Sequence, residues 1–152
     1  MIEVEVEEAV WTQDVPNAEA VSLRAAGMTL SHVHHDAGQD GVSILLTDDD
    51  ALQDLNSRFL GKNKPTNVLS FPAPPNPEGH LGDIALAYGV CAREALEQGK
   101  TLSNHLSHLT VHGVLHLLGY DHMDDGEAEA MEAMERTVLE FLGVPDPYAA
   151  ER

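Results

Sequence analysis

The chain has 152 residues, of which 26 are acidic and 8 basic, so its formal charge is −18 with 43% hydrophobic and 22% charged residues. This length points to one domain, 1–152, able to bury roughly 68–70% of the surface its unfolded form exposes, so a core needs no disulfide staple. The apolar share excludes a disordered acidic tail, no run of about 18 apolar residues could span a membrane, Cys91 has no internal partner, and the N-terminus carries no secretion signal, so a cytoplasmic protein is expected.

Acidity also speaks against broad binding to nucleic-acid backbones, which draws its free energy from Lys and Arg. Any such contact must be local, and Arg58, Lys62 and Lys64 are the one concentrated basic stretch. Along the chain, Ile2, Val4 and Val6 alternate with Glu3 and Glu5 as in a half-buried edge strand. Asn17 is placed to cap a short helix running to about Gly27, and Val42–Thr47 reads as a buried strand. A helix from near Asp48 carries Leu52, Leu55 and Phe59 on one stripe and ends at Gly61. Asn67–Phe71 is a strand, Pro72–Gly82 a proline-rich loop, and Ile84 and Leu86 continue a further strand. Val90–Gln98 forms a helix closed by Gly99. A longer helix spans Leu102–Leu118, and a last one starts at Asp124 and turns Met131, Met134, Val138, Phe141 and Leu142 inward.

Chemistry concentrates in the nine histidines. His105, His108, His112 and His116 recur along one face of the Leu102–Leu118 helix. His112 and His116, four apart, project about 5–6 Å apart at Cβ, a span that one tetrahedral ion can bridge. Gly119 allows the chain to reverse so that His122 approaches as a third ligand. Three imidazoles without a thiolate leave a fourth position open, which is the pattern of a catalytic zinc, one ion per chain. His105 and His108 are expected to be solvated or to support the ligands from behind. His32, His34 and His35 are expected in an exposed strand or loop. The acids Asp48–Asp50 and Asp124–Asp125 read as helix starts, and Asp121 either as a partner that orients a ligand imidazole or as an exposed turn residue.

The spacing His-x3-His-x2-Gly-x2-His is also that of the metzincin proteases, in which Glu follows the first His as general base. Here Gly113 stands there, so a peptidase loses its base. Gly113 inside a helix marks close approach, either of a substrate or backbone near the metal or of a tightly packed strand.

HGVLHLLGYDH, from His112 to His122, resembles the hallmark of the YbeY family of bacterial endoribonucleases. Lys64–Pro72 (KPTNVLSFP) is similar to that family's PT(D/N)VLSFP strand, Leu81-Gly82-Asp83-Ile84 to its LGDI strand, and His108-Leu109 also matches. Together these cover about residues 50 to 143 in order. The resemblance implies an α+β fold with a small mixed sheet and the histidine helix behind it. It also implies zinc on His112, His116 and His122, cleavage of single-stranded RNA, maturation of the small-subunit ribosomal RNA 3′ end, and ribosome quality control. The implied partners are ribosomal RNA and the ribosome or its proteins, with no nucleotide cofactor. One departure is that Leu60 stands where the family commonly has Arg, while Arg58 lies two residues earlier, about 200° around the helix.

The expected mechanism is metal-assisted phosphodiester cleavage, with Arg58, Lys62 and Lys64 on flanking phosphates and the strand ending at Ser70-Phe71 lining the groove. Beyond the metal-bound water, Arg58 and Asp121 are the catalytic candidates, and whether water or the 2′-hydroxyl attacks stays open. A peptidase-type metallohydrolase and a non-catalytic, ribosome-associated zinc factor are the rival readings.

Overall fold

In the computed structural model, which describes residues 1–33, 35 and 38–149, the elements run β1 (Ile2–Val6), α1 (Val10–Asp14), α2 (Ala18–His32), β2 (Gly41–Thr47), α3 (Asp49–Leu60), β3 (Val68–Pro72), β4 (His80–Ala87), α4 (Tyr88–Glu97), α5 (Leu102–Leu117) and α6 (Asp125–Leu142). The fold is α+β. Its four strands lie in the order β1-β2-β4-β3, with β1 and β4 parallel to β2 and β3 antiparallel to β4. β1 is an edge, as its alternation required, and β3 is the other. Ser70 stands opposite Ile84 and Phe71 opposite Asp83, so successive β3 side chains serve opposite faces of the sheet.

One face is covered by α2 and α5. Val42, Ile44, Leu46, Ile84 and Leu86 point into it and meet Leu106, Leu109, Val114 and Leu117 of α5 together with Trp11. The short α1 was not foreseen. It seats Trp11, whose Nε1 donates to the Thr47 carbonyl at 2.9 Å, over the end of β2. Behind α5, Val111 and Leu115 pack on Met131, Val138 and Leu139 of α6. α5 is therefore sandwiched, and only its first residues, Leu102, Ser103 and Asn104, and the stripe of His108, His112 and His116 escape full burial. The sheet's other face is covered in part by α3, through Leu52 against Leu69, Ala85 and Val90.

Glycines and acids end and start the helices much as their chemistry dictates. Asp48 caps α3, accepting from the Ala51 N–H at 2.8 Å, and Gly61 closes it at φ +68°. Asp49 does a second job, accepting from the Val90 N–H at 3.0 Å near the start of α4. Asp124 caps α6 through the Glu127 N–H. Four expectations need correction. α2 does not stop near Gly27 but runs to His32, because Gly27 keeps an ordinary helical torsion and packs near the Ile2 side chain; Asn17 precedes it without a side-chain cap bond. His32 is thus the last residue of that helix rather than part of a strand or loop, and His34 lies outside the described residues. Phe141 is 61% exposed and rests against the His32 ring instead of entering the core. Phe59 continues the α3 stripe past the edge of the surface it covers and is 63% exposed.

Candidate metal centre

The buried helix α5 presents four histidines, and their surroundings sort them. Thr101 starts the helix by accepting from the Asn104 N–H. The helix ends in a Schellman turn: the Gly119 N–H donates to the His116 carbonyl at 3.1 Å and the Tyr120 N–H to the Leu115 carbonyl at 3.0 Å, with Gly119 at φ +100°. A side chain at Gly119 would strain that torsion. The turn sends the chain back so that Asp121 and His122 arrive beside His116. Ligand atoms of His116, Asp121 and His122 all lie within 4.8 Å of one another, a group that could hold a metal ion. His112 meets the same cluster, its Nε2 being 3.1 Å from His116 Nε2 and its ring centroid 5.9 Å from that of His122.

The structure adds a residue that the sequence reading missed. Glu135 on α6 is fully buried, at 0% exposure, and takes three donors. Its Oε1 accepts from His112 Nδ1 at 2.7 Å, and its Oε2 accepts from His108 Nε2 at 3.0 Å and from the Tyr148 hydroxyl at 2.5 Å. Burial alone would raise its pKa, but the hydrogen bonds from His108, His112 and Tyr148 outweigh that and bring it down to about 2. The carboxylate fixes the His112 tautomer with the proton on Nδ1, which leaves the Nε2 lone pair aimed at His116. A signal existed: Met131, Glu135, Val138 and Leu142 occur at i, i+4, i+7 and i+11, a stripe with one charge in its middle. Reading Phe141 into the stripe rotated it by one residue, while Met134 does pack in part against the same cluster.

His116 is half-buried. Burial first, then the neighbouring His112 and His122 rings, hold its pKa below the ordinary histidine range against the opposing pull of Asp121 and the Tyr120 carbonyl, so its lone pair is available at neutral pH. Imidazole nitrogens facing each other, one tautomer set by a buried carboxylate, and a neighbouring carboxylate make a donor set that fits a divalent transition ion. An edge of about 3.4 Å between nitrogens is what ~2.05 Å bonds to a tetrahedral ion require, close to the 3.1 Å found between His112 and His116.

His108 sits behind His112, joined to it through Glu135. His105 is not solvated, as one alternative held. It is 3% exposed and its Nε2 donates to Glu94 Oε1 at 2.9 Å, an oxygen that Asn67 Nδ2 also reaches at 3.0 Å. Burial lowers its pKa despite Glu94. Asp121 accepts from its neighbour's N–H, at 2.8 Å from His122 N, and stands 3.6 Å from His122 Nδ1. Gly113 faces the sheet. A Cβ there would come within 3.0 Å of Ile84 and 3.2 Å of Ser70 Oγ, and Ser70 Oγ donates to the Gly113 carbonyl. Tight packing on the strands accounts for this glycine.

The basic residues lie apart from the histidines, at the end of α3 and in the loop after it. Arg58 pairs with Asp54 at 3.0 Å and stacks over the Phe59 ring. The loop that carries Lys62 and Lys64 is pinned to α3 by Asn56, whose carbonyl accepts from the Lys62 N–H and whose amide donates to the Lys64 carbonyl. Leu60 is exposed.

The model of one family, described as Endoribonuclease YbeY, matches residues 5–143. The chain is 49% identical over 158 aligned residues to the protein named Endoribonuclease YbeY of Paramagnetospirillum magneticum, covering 99% of this chain and 96% of that one. It is 52% identical over 145 residues to the protein of the same name from a Bradyrhizobium species, covering 90% and 86%. A Thermotoga maritima protein solved in solution shares the fold at 24% identity and a TM-score of 0.55, over 96% of this chain and 95% of that one. With the family pattern matched from β1 to the end of α6, and with His112, His116 and His122 gathered at the C-terminal end of α5, the chain belongs to the YbeY family.

Proposed function

We propose that the protein is a zinc-dependent endoribonuclease, one catalytic domain over 1–152, that cleaves single-stranded ribosomal RNA during small-subunit maturation and ribosome quality control in the cytoplasm, in contact with the ribosome or its proteins. The carrying observation is the convergence of His112, His116 and His122 at the open end of an otherwise buried helix, with Glu135 locking the first of them. The relatives, both named Endoribonuclease YbeY, supply the reaction class.

In this reading the three imidazoles hold one zinc ion. Bound there, zinc would polarise a phosphoryl oxygen and make water acidic enough to deprotonate near neutral pH. The chain's own residues do the rest. Glu135 holds His112 in its ligating tautomer, and His108 and Tyr148 hold Glu135. With three imidazoles as ligands, Asp121 is the carboxylate left beside them to receive a proton from the attacking hydroxyl. Arg58, Lys62 and Lys64 position phosphates of the flanking strand.

A peptidase is disfavoured by Gly113, since the place where a base would sit is filled by Ile84 and Ser70. The test is incubation of metal-loaded protein with single-stranded RNA, duplex RNA and casein, beside His116→Ala. Cleavage of single strands alone, abolished in the variant, is expected. Cleavage of casein, or RNA cleavage that survives His116→Ala, would defeat the reading. Products ending in a cyclic phosphate would identify the 2′-hydroxyl as nucleophile.

A further inference from the structure

Phe59 is one of several large apolar side chains that stand in solvent, and it differs from the others in what surrounds it. It ends the apolar stripe of α3 yet stands 63% exposed, its ring edge-on to Phe71 of β3 at 5.8 Å between centroids. The Arg58 guanidinium lies over it, 5.6 Å from the ring centre. The two rings border a groove of about 890 Å³ on the uncovered face of the sheet, with Leu45, Leu55 and Ala85 in its lining. Charge around this groove is uneven. Glu3, Glu5 and Asp83 line it, while Arg58 stands over the Phe59 ring at its rim and Lys62 and Lys64 follow in the loop that Asn56 holds to α3.

From this arrangement we infer that Phe59 and Phe71 form a base-stacking platform for the single-stranded RNA substrate, with Arg58 completing it. The inference rests on the nuclease reading and deepens it. Every base has a π-face, so exposed aromatic rings beside cations hold single strands with little regard to sequence, and a guanidinium stacked on the ring adds to the attraction. The ion pair of Arg58 with Asp54 is exposed on both sides, so exchanging the carboxylate for a phosphate costs little. Carboxylates of Glu3, Glu5 and Asp83 repel phosphates. A strand therefore lies with its bases against the rings and its phosphates toward the α3–β3 loop.

The edge position of β3 links this platform to the histidines. Phe71 and Ser70 are neighbours facing opposite sides of β3, and Ser70 Oγ reaches the Gly113 carbonyl beside His112 at 3.2 Å. Among the described residues no further strand pairs with that edge, so an RNA strand crossing it can run from the platform toward the end of α5 that carries His112 and His116. A duplex, its bases already stacked and paired, cannot use the rings. Phe59 and Phe71 are then the positioning residues that select single strands.

The experiment compares the parent with Phe59→Ala and Phe59→Trp. Binding of a single-stranded oligoribonucleotide carrying 2-aminopurine is followed by fluorescence with chelator present, and KM and kcat are measured on the zinc-loaded protein. Phe59→Ala should weaken binding and raise KM by roughly 5- to 150-fold, with kcat and zinc content little changed, and Phe59→Trp should restore both. An abasic sugar at the stacked position should weaken binding to the parent by a similar factor and leave Phe59→Ala unaffected. Because Phe59 is exposed, circular dichroism should show no loss of fold; a less disruptive Phe71→Leu should give a smaller shift of the same sign. If the parent cleaves single-stranded RNA while Phe59→Ala keeps its KM and affinity, the platform is wrong and the nuclease reading stands, the groove then being left to a protein partner. If the parent neither binds nor cleaves single-stranded RNA, both fall.

Discussion

The two halves of α5 each carry a pair of histidines, three apart in the first and four apart in the second, and treat them differently. In the first half, His105 and His108 turn Nε2 to a carboxylate, Glu94 and Glu135, and their Nδ1 atoms are buried without a partner among the described residues. In the second half, His112 turns Nδ1 to Glu135 and leaves Nε2 pointing outward to meet His116. In the metal-site reading proposed above, the nitrogen that a carboxylate occupies separates a supporting imidazole from a ligating one. Glu135 serves both roles at once, one oxygen for each half.

The comparison breaks most visibly in metal content. His112→Ala, His116→Ala or His122→Ala should each lose most of the bound zinc, because two imidazoles compete poorly with water, whereas His105→Ala should keep the metal and lose about 2–4 kcal/mol of stability through its cavity and the lost hydrogen bond to Glu94, which keeps its bond from Asn67. Elemental analysis and denaturant unfolding read the two effects. Full zinc in His122→Ala with loss in His105→Ala would reverse the assignment of the halves.

Glu135→Gln sharpens the comparison at its joint. An amide can present its oxygen to His112 or to His108 but cannot accept equally from both, so zinc affinity should fall roughly 10- to 100-fold with stoichiometry near one retained, as read by competition with a chromophoric chelator. Unchanged affinity would show that His112 is oriented without it.

A pH difference separates the buried half on its own. His105 has its folded pKa held below the ordinary 6.5 by burial, so in the metal-free protein its contribution to stability is full above that value and is lost as pH falls below it, with a slope of at most about 1.4 kcal/mol per pH unit. His116 shifts the same way, and the difference between parent and His105→Gln isolates the first. Thermal unfolding between pH 7.5 and pH 5 measures it, above the range in which Glu135, ordinary at 4.5 and about 2 when folded, begins to lose its own stabilisation. The smallest effect should be that of Tyr148→Phe, which takes one of three donors from Glu135 and should cost about 1 kcal/mol without changing zinc stoichiometry.

Local chemistry was legible in the sequence because local chemistry caused it. Alternation at Ile2–Val6, the caps at Asp48 and Asp124, the left-handed glycines Gly61, Gly119 and Gly143, and the four-residue step from His112 to His116 each depend on neighbours within a few positions. These determined the strands, the long helices, and the turn that returns His122 to the helix end. Tertiary structure decided what depends on distant partners. It made Gly113 a packing residue for Ile84 and Ser70, left Phe59 in solvent although it continues an apolar stripe, and buried His105 against Glu94. It also placed a carboxylate from α6, 23 residues along the chain from His112, against that imidazole. Helical period tells which residues share a face, but whether that face meets a strand, a carboxylate or water is set by the element packed against it, and no local pattern encodes that choice.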